Sequence, residues 1–169
     1  ISGDSGSGTV FFTGCNLGCV YCQNYDIAHE GRGKEVTIER LSEIFMELKD
    51  KGAANINLVT PTHFSPQIRQ AIILSKSKGL NIPIVYNTSG YETVESLREL
   101  IGIVDIYLAD FKYFDGRLAK KYSNAPDYPE IAVRAFAEMV RQQPQLIFDD
   151  YGMLLSGVVA RHLVLPGQQ

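Results

Sequence analysis

All three cysteines of the 169-residue chain, Cys15, Cys19 and Cys22, fall within eight consecutive positions of the stretch GTVFFTGCNLGCVYCQN from Gly8 to Asn24. Thiols grouped this tightly can ligate a metal ion, cycle between dithiol and disulfide, or hold an iron–sulfur cluster. A structural zinc ion asks for four ligands, so His29, His63 or His162 would have to supply the fourth. A redox pair would use Cys19 and Cys22 as C-x-x-C, would leave Cys15 idle and would sit at a helix start. A cluster that only carries electrons normally takes four cysteines. Three thiolates on a 4Fe-4S cluster leave one iron without a protein ligand, and the amino and carboxylate groups of a substrate can chelate that iron.

The elements that must position these thiols read as alternating strands and helices. A β-branched and aromatic run from Thr9 to Thr13 precedes the cysteine loop. Thr37 opens a helix with Ile38, Leu41, Ile44, Phe45 and Leu48 on one face, and Gly52 stops it. Strands are expected at Asn55 to Thr60, Ile82 to Tyr86 and Ile103 to Phe111. Between them lie a helix N-capped by Ser65, with Pro66 in its first turn and Ile68, Ala71, Ile72 and Ser75 on its inner face, and a short helix capped by Thr93. Two helices follow, one after Asp115 and one after Pro129 carrying Ile131, Ala135, Phe136, Met139 and Val140. A hairpin from Leu146 to Leu154 and a last strand from Gly157 to Gly167 complete the series. Such alternation predicts an α/β fold with a parallel sheet and right-handed crossovers.

Composition narrows the function classes. With 45% hydrophobic residues the chain can bury one sizeable core, and one domain is expected over residues 1–169. A net charge of −3 with dispersed Lys and Arg disfavours nucleic acid as a partner. No apolar run approaches the roughly 20 residues of a membrane span. An odd, clustered set of cysteines is a poor disulfide framework, so a reducing, cytoplasmic setting is expected. The chain opens at Ile1 without a methionine and stops at Gln169, which predicts that it is incomplete at one or both ends.

In a parallel sheet, ligands gather beyond the C-terminal strand ends. Here those ends carry the cysteine loop, then TPTHF, NTSGYE and DFK. Polar residues also serve ordinary turns, so no single loop decides the matter. Four polar ends facing one rim, one of them with three thiols, point to a shared site.

The motif CNLGCVYC, with Tyr21 at the aromatic position of C-x3-C-x-aromatic-C, resembles the signature of the radical S-adenosylmethionine (SAM) superfamily. The stretches VTPTHF, YNTSGYE and RHLVLPG resemble those of pyruvate formate-lyase activating enzymes and their uncharacterised relatives. The resemblance implies a partial (β/α)6-type barrel, with a further strand and helix after Gly167. It also implies a 4Fe-4S cluster on Cys15, Cys19 and Cys22, and reductive cleavage of SAM to a 5′-deoxyadenosyl radical. Many relatives hold the SAM amino group with Gly-Gly-Glu after the second strand, where this chain has Thr60, Pro61, Thr62 and His63; a threonine hydroxyl or a strand-end carbonyl can accept that bond instead. By the same resemblance Asn87, Asp110, Lys112 and Arg161 contact SAM. Asp110 with Lys112, and Arg161, are equally readable as plain ion pairs. The implied substrate is a glycine in a glycyl-radical enzyme or another polypeptide, with flavodoxin or ferredoxin as electron donor. Other peptide or small-molecule substrates, and a metal-binding or electron-carrying protein without SAM chemistry, are the alternatives.

Overall fold

The computed structural model describes residues 1–165 and 167. Its strands are β1 (Gly8–Phe11), β2 (Ile56–Val59), β3 (Ile84–Thr88), β4 (Ile106–Asp110), β5 (Ile147–Phe148) and β6 (Leu154–Arg161). Its α-helices are α1 (Tyr25–Ala28), α2 (Ile38–Asp50), α3 (Ser65–Ser77), α4 (Val94–Arg98), α5 (Gly116–Ser123) and α6 (Tyr128–Gln142). The six-stranded sheet runs in the order β1-β2-β3-β4-β6-β5. All pairings are parallel except that of β5, which folds back antiparallel on the first residues of β6. The alternating α/β reading therefore holds, with the architecture of a partial barrel.

Inward residues of the central strands explain why the sheet is covered by helices. Ile106 and Val85, 0% exposed, pack with Leu154 on one face, while Ile56, Leu58, Ile84, Tyr86 and Tyr107, also 0% exposed, lie on the other, which meets the helices. Phe45 of α2 and Ile68, Ala71 and Ile72 of α3 pack into the same core. The two helices meet at small residues, where the Ser75 hydroxyl donates to Ser42 Oγ at 3.0 Å. Local capping follows the sequence: the Thr37 and Thr93 side chains accept from the N–H groups of Arg40 and Ser96, and Asp115 accepts from Arg117 and Leu118. Among the described residues no helix is long and apolar enough to cross a membrane.

Three local expectations change. Ser65 is the first residue of α3 rather than its cap. Its hydroxyl is engaged by the Thr62 carbonyl at 3.0 Å and the Tyr86 phenol at 3.1 Å, and Pro66 lacks an N–H that would need capping. The last strand begins at Leu154, because the hairpin arm and the parallel strand are one continuous element, and it ends at Arg161 where β4 stops offering partners. The expected extension to Gly167 crosses Pro166, which lies outside the described residues, as do the strand and helix expected to follow. The single-turn α1 has too few residues to show a periodicity and was not anticipated.

Candidate functional site

The cysteine loop leaves β1 and docks on the C-terminal end of α5. Terminal helix carbonyls lack intrahelical donors, and here the loop supplies them: Gly18 N–H donates to the Ser123 carbonyl at 3.0 Å and Val20 N–H to that of Tyr122 at 2.9 Å. Asn124 then turns the chain in the left-handed region at φ 55°, a conformation Asn tolerates. Leu17, 2% exposed, plugs the loop into a cluster with Tyr113, Ala119, Ala125 and Tyr128, against which Cys15, Cys19 and Tyr21 pack. Asn16 Nδ2 donates to the Tyr91 carbonyl at 2.7 Å, tying the loop to the segment after β3.

The three thiols are half-buried and unpaired. Burial pushes the Cys15 thiol above its ordinary value; the Leu17 N–H pulls it down, the neighbouring thiols of Cys19 and Cys22 push it up, and Lys112 pulls it down. Cys15 thus lies within electrostatic reach of Cys19, Cys22 and Lys112. Cys19 Sγ sits 2.9 Å from Ser123 Oγ. Ser123 Oγ is 2.7 Å from the Tyr113 phenol oxygen, which in turn bonds the phenol of Tyr21. Burial and the Tyr113 bond both hold the Tyr21 phenol well above its usual range.

Among the described residues no three or more Cys, His, Asp or Glu side chains are gathered closely enough to hold a metal ion, so the three thiols share one loop without closing on one point. The His29 ring packs at a tilt against Tyr25, the His63 ring lies against Gly14, and His162 Nδ1 is engaged by the Phe111 carbonyl at 2.6 Å. Three thiolates from one loop suit an iron–sulfur cluster that keeps one iron open, and suit a four-ligand zinc site poorly.

Next to this loop, parallel register aligns the ends of β3, β4 and β6, and their charged residues form one network. Asp110 accepts from Lys112 Nζ at 2.7 Å on one oxygen and from Arg161 Nε at 2.8 Å on the other. Arg161 Nη2 donates to Asn87 Oδ1 at 2.8 Å. The Tyr128 hydroxyl, from α6, underpins this rim: it lies 2.8 Å from both the Ser89 and Asp110 carbonyls and accepts from Lys112 N–H at 2.9 Å. Gly90, at φ 77°, leaves no room for a Cβ, which would collide with the Asp110 carbonyl.

Thr60 and Thr62 lie at the end of β2. Thr60 adopts φ 57°, a strained value for a β-branched residue, and its N–H reaches the Asn87 carbonyl at 3.0 Å. Thr62 donates its hydroxyl proton to Glu92 Oε1 at 2.6 Å, as does Thr88. Glu92 is 2% exposed, and its Oε2 has no hydrogen-bond partner. Burial raises its carboxyl above the ordinary value, against the opposing pull of the Thr62, Thr88 and Tyr86 hydroxyls.

Asn87, Asp110, Lys112 and Arg161 are thus brought together, with Thr60 bonded to the Asn87 backbone and Thr62 one element away. Glu92, Tyr113, Ser123 and Tyr128 were not singled out by sequence reasoning. Glu92 had a faint signal, an acidic residue in a strand-end loop; Ser123 and Tyr113 had none.

Comparison with known proteins agrees with this arrangement. The model of the Radical SAM superfamily matches residues 9–167, a span that includes every candidate site residue. The chain is 32% identical over 170 residues to an uncharacterized protein of Methanocaldococcus jannaschii, covering 95% of this chain and 45% of that protein. It is 31% identical over 111 residues to the pyruvate formate-lyase-activating enzyme of Clostridium pasteurianum, covering 63% of this chain and 45% of that enzyme. The chain therefore spans about half the length of the curated relatives it matches. With a family match that runs from its first strand past its last, and with three thiols on the loop after that first strand, the chain belongs to the radical SAM superfamily.

Proposed function

We propose that the chain forms the catalytic core of a radical SAM enzyme that holds a 4Fe-4S cluster on Cys15, Cys19 and Cys22 and installs a glycyl radical in a partner protein. The observation that carries the SAM-cleaving part is the juxtaposition of a three-thiol loop with the Asn87–Asp110–Lys112–Arg161 network. When bound, the cluster supplies the one electron that breaks a carbon–sulfur bond of SAM, leaving methionine and a 5′-deoxyadenosyl radical.

The chain's own residues bind and orient. SAM brings a carboxylate, an ammonium and a sulfonium, and the rim offers both signs of charge. Arg161, whose side chain is 45% exposed, can turn part of its guanidinium to a ligand carboxylate while Lys112 keeps Asp110 paired. Thr62 has committed its single proton to Glu92, so its oxygen can only accept, as a ligand ammonium requires. Tyr128 and the Leu17 cluster hold the two loops rigidly, which a reaction through a primary carbon radical demands, since misplacement lets it attack whatever C–H group is nearest.

The glycine target rests on the likeness to the activating enzyme and on the chemistry of a backbone glycyl radical, which the flanking amides stabilise. Flavodoxin or ferredoxin is the proposed electron donor. The test is anaerobic. Reconstituted protein should bind about four irons per chain. With dithionite and SAM it should form 5′-deoxyadenosine, and Cys19→Ala should lose both iron and product. Stoichiometric zinc without iron uptake would overturn the cluster, and absence of 5′-deoxyadenosine from fully loaded protein would overturn the chemistry. Turnover indifferent to every glycyl-radical protein supplied would remove the substrate assignment alone.

A further inference from the structure

The hydrogen-bonded series from Tyr21 through Tyr113 and Ser123 to Cys19 spans sequence separations of 92, 10 and 104 residues, so folding alone assembles it. Ser123 is 1% exposed and Tyr113 4% exposed, so neither hydroxyl can turn to bulk water. Their positions are set from several sides. Ser123 is the last residue of α5, and its carbonyl is held by Gly18 of the cysteine loop. Tyr113 packs edge-on against Tyr128, ring centroids 5.5 Å apart.

Counting protons gives the series a direction. Each hydroxyl carries one proton, and a cysteine that ligates iron carries none. The bond between Ser123 Oγ and Cys19 Sγ then exists only if Ser123 donates. Having given its proton to sulfur, Ser123 must accept from Tyr113, and Tyr113 in turn must accept from Tyr21. All three protons point toward the sulfur, and each bond polarises the next.

We propose that Tyr21, Tyr113 and Ser123 form a donor relay that ends on Cys19 and sets the reduction potential of the cluster held there. The relay rests on the cluster reading proposed above. A hydrogen bond donated to a ligating sulfur stabilises the reduced, more negative cluster over the oxidised one, and so raises the potential. The step concerned is a one-electron reduction by an external low-potential donor, in which no bond of the protein forms or breaks. Ser123, Tyr113 and Tyr21 are positioning and tuning residues. Their effect reaches SAM only through the ease with which the cluster takes an electron.

The test is a redox titration of the anaerobically reconstituted chain, following the reduced cluster by electron paramagnetic resonance. Iron and sulfide are counted beforehand in wild type, Ser123→Ala, Ser123→Thr and Tyr113→Phe. Ser123→Ala should make reduction about tenfold less favourable, which for a one-electron couple is a midpoint about 59 mV more negative. Tyr113→Phe should move the midpoint in the same direction by less, because Ser123 still donates. Ser123→Thr, which keeps a hydroxyl, should return it toward wild type. An iron-loaded Ser123→Ala with the wild-type midpoint, or a more positive one, overturns the relay. If Ser123→Ala holds no iron, Tyr113→Phe decides, and an unmoved midpoint there overturns it. Wild type that takes up no iron overturns the functional reading and the relay with it, whereas full iron with unmoved midpoints overturns the relay alone.

Discussion

Glu92 lies deep behind the strand-end rim, whereas Glu138 of α6 lies shallow, covered by its partners Arg141, Gln142 and Arg98, and their surroundings push their carboxyls in opposite directions. Glu138 accepts from Arg141 through two bonds of 2.9 and 2.6 Å and from Gln142 at 2.8 Å, with Arg98 at 3.8 Å. The Arg141 bonds lead in holding it down to about 2. Glu92 meets only hydroxyls, and burial drives it up. A carboxylate that serves the scaffold is matched with cations from its own chain. One behind the site is matched with neutral donors whose oxygens remain open, and it leaves one of its own oxygens without a partner. On the function proposed above, the missing positive charge is the ligand's.

The largest expected effect that sharpens this contrast comes from Glu92→Ala. It leaves the hydroxyl protons of Thr62 and Thr88 without acceptors in a buried place, and should destabilise the fold by about 2–3 kcal/mol in urea unfolding. Glu92→Gln keeps a carbonyl oxygen for both threonines and should remain within about 1 kcal/mol of wild type. Equal tolerance of the two changes would show that the threonine bonds carry no weight.

An intermediate effect is the opposite pH dependence of the two sites. Glu92, raised in the folded state above the ordinary 4.5, contributes stability that is complete below pH 4.5 and lost as pH rises through its folded value. Glu138, lowered to about 2, contributes stability that is present above 4.5 and lost as pH falls through about 2. Urea midpoints recorded against pH should therefore fall less steeply above pH 4.5 in Glu92→Gln, and less steeply below it in Glu138→Gln. Changes of the same sign in both variants would break the comparison.

The smallest effect concerns the partners of Glu138. Arg141→Gln should let the carboxyl titrate nearer its ordinary value, as followed by NMR. Arg98→Gln should move it less, since its Nε stands 3.8 Å away on a side chain 59% exposed. A larger shift from Arg98 would mean that long-range charge, rather than the two Arg141 bonds, dominates there.

Much of the scaffold was legible because its causes are local. The caps at Thr37, Thr93 and Asp115 need only a side-chain oxygen and an N–H two or three residues on. The inner faces of α2 and α3 follow from helical spacing alone, and Phe45, Ile68, Ala71 and Ile72 are all 0% exposed. Ser65 was misread as a cap because its hydroxyl is claimed by Tyr86, 21 residues away, a competitor that no local rule contains. The hairpin and the last strand were read as separate elements because nothing in the sequence marks where antiparallel pairing with β5 gives way to parallel pairing with β4.

By itself the sequence determined the cysteine motif, since three thiols within eight residues are held near one another by the length of the chain between them, whatever surrounds them. It also determined the alternation of strands and helices, because periodicity is written over a few turns. Only the tertiary structure decided which polar residues meet. Asp110 finds Arg161 from 51 residues away and Asn87 finds it from 74, because parallel register brings the ends of β3, β4 and β6 level. Thr62 meets Glu92 across 30 residues, and Cys19 meets Ser123 across 104, because α5 docks its last turn on the cysteine loop. Contacts made by packing whole elements leave no spacing in the sequence to read, and these four are of that kind, whereas the Lys112–Asp110 pair, two residues apart, was readable from spacing.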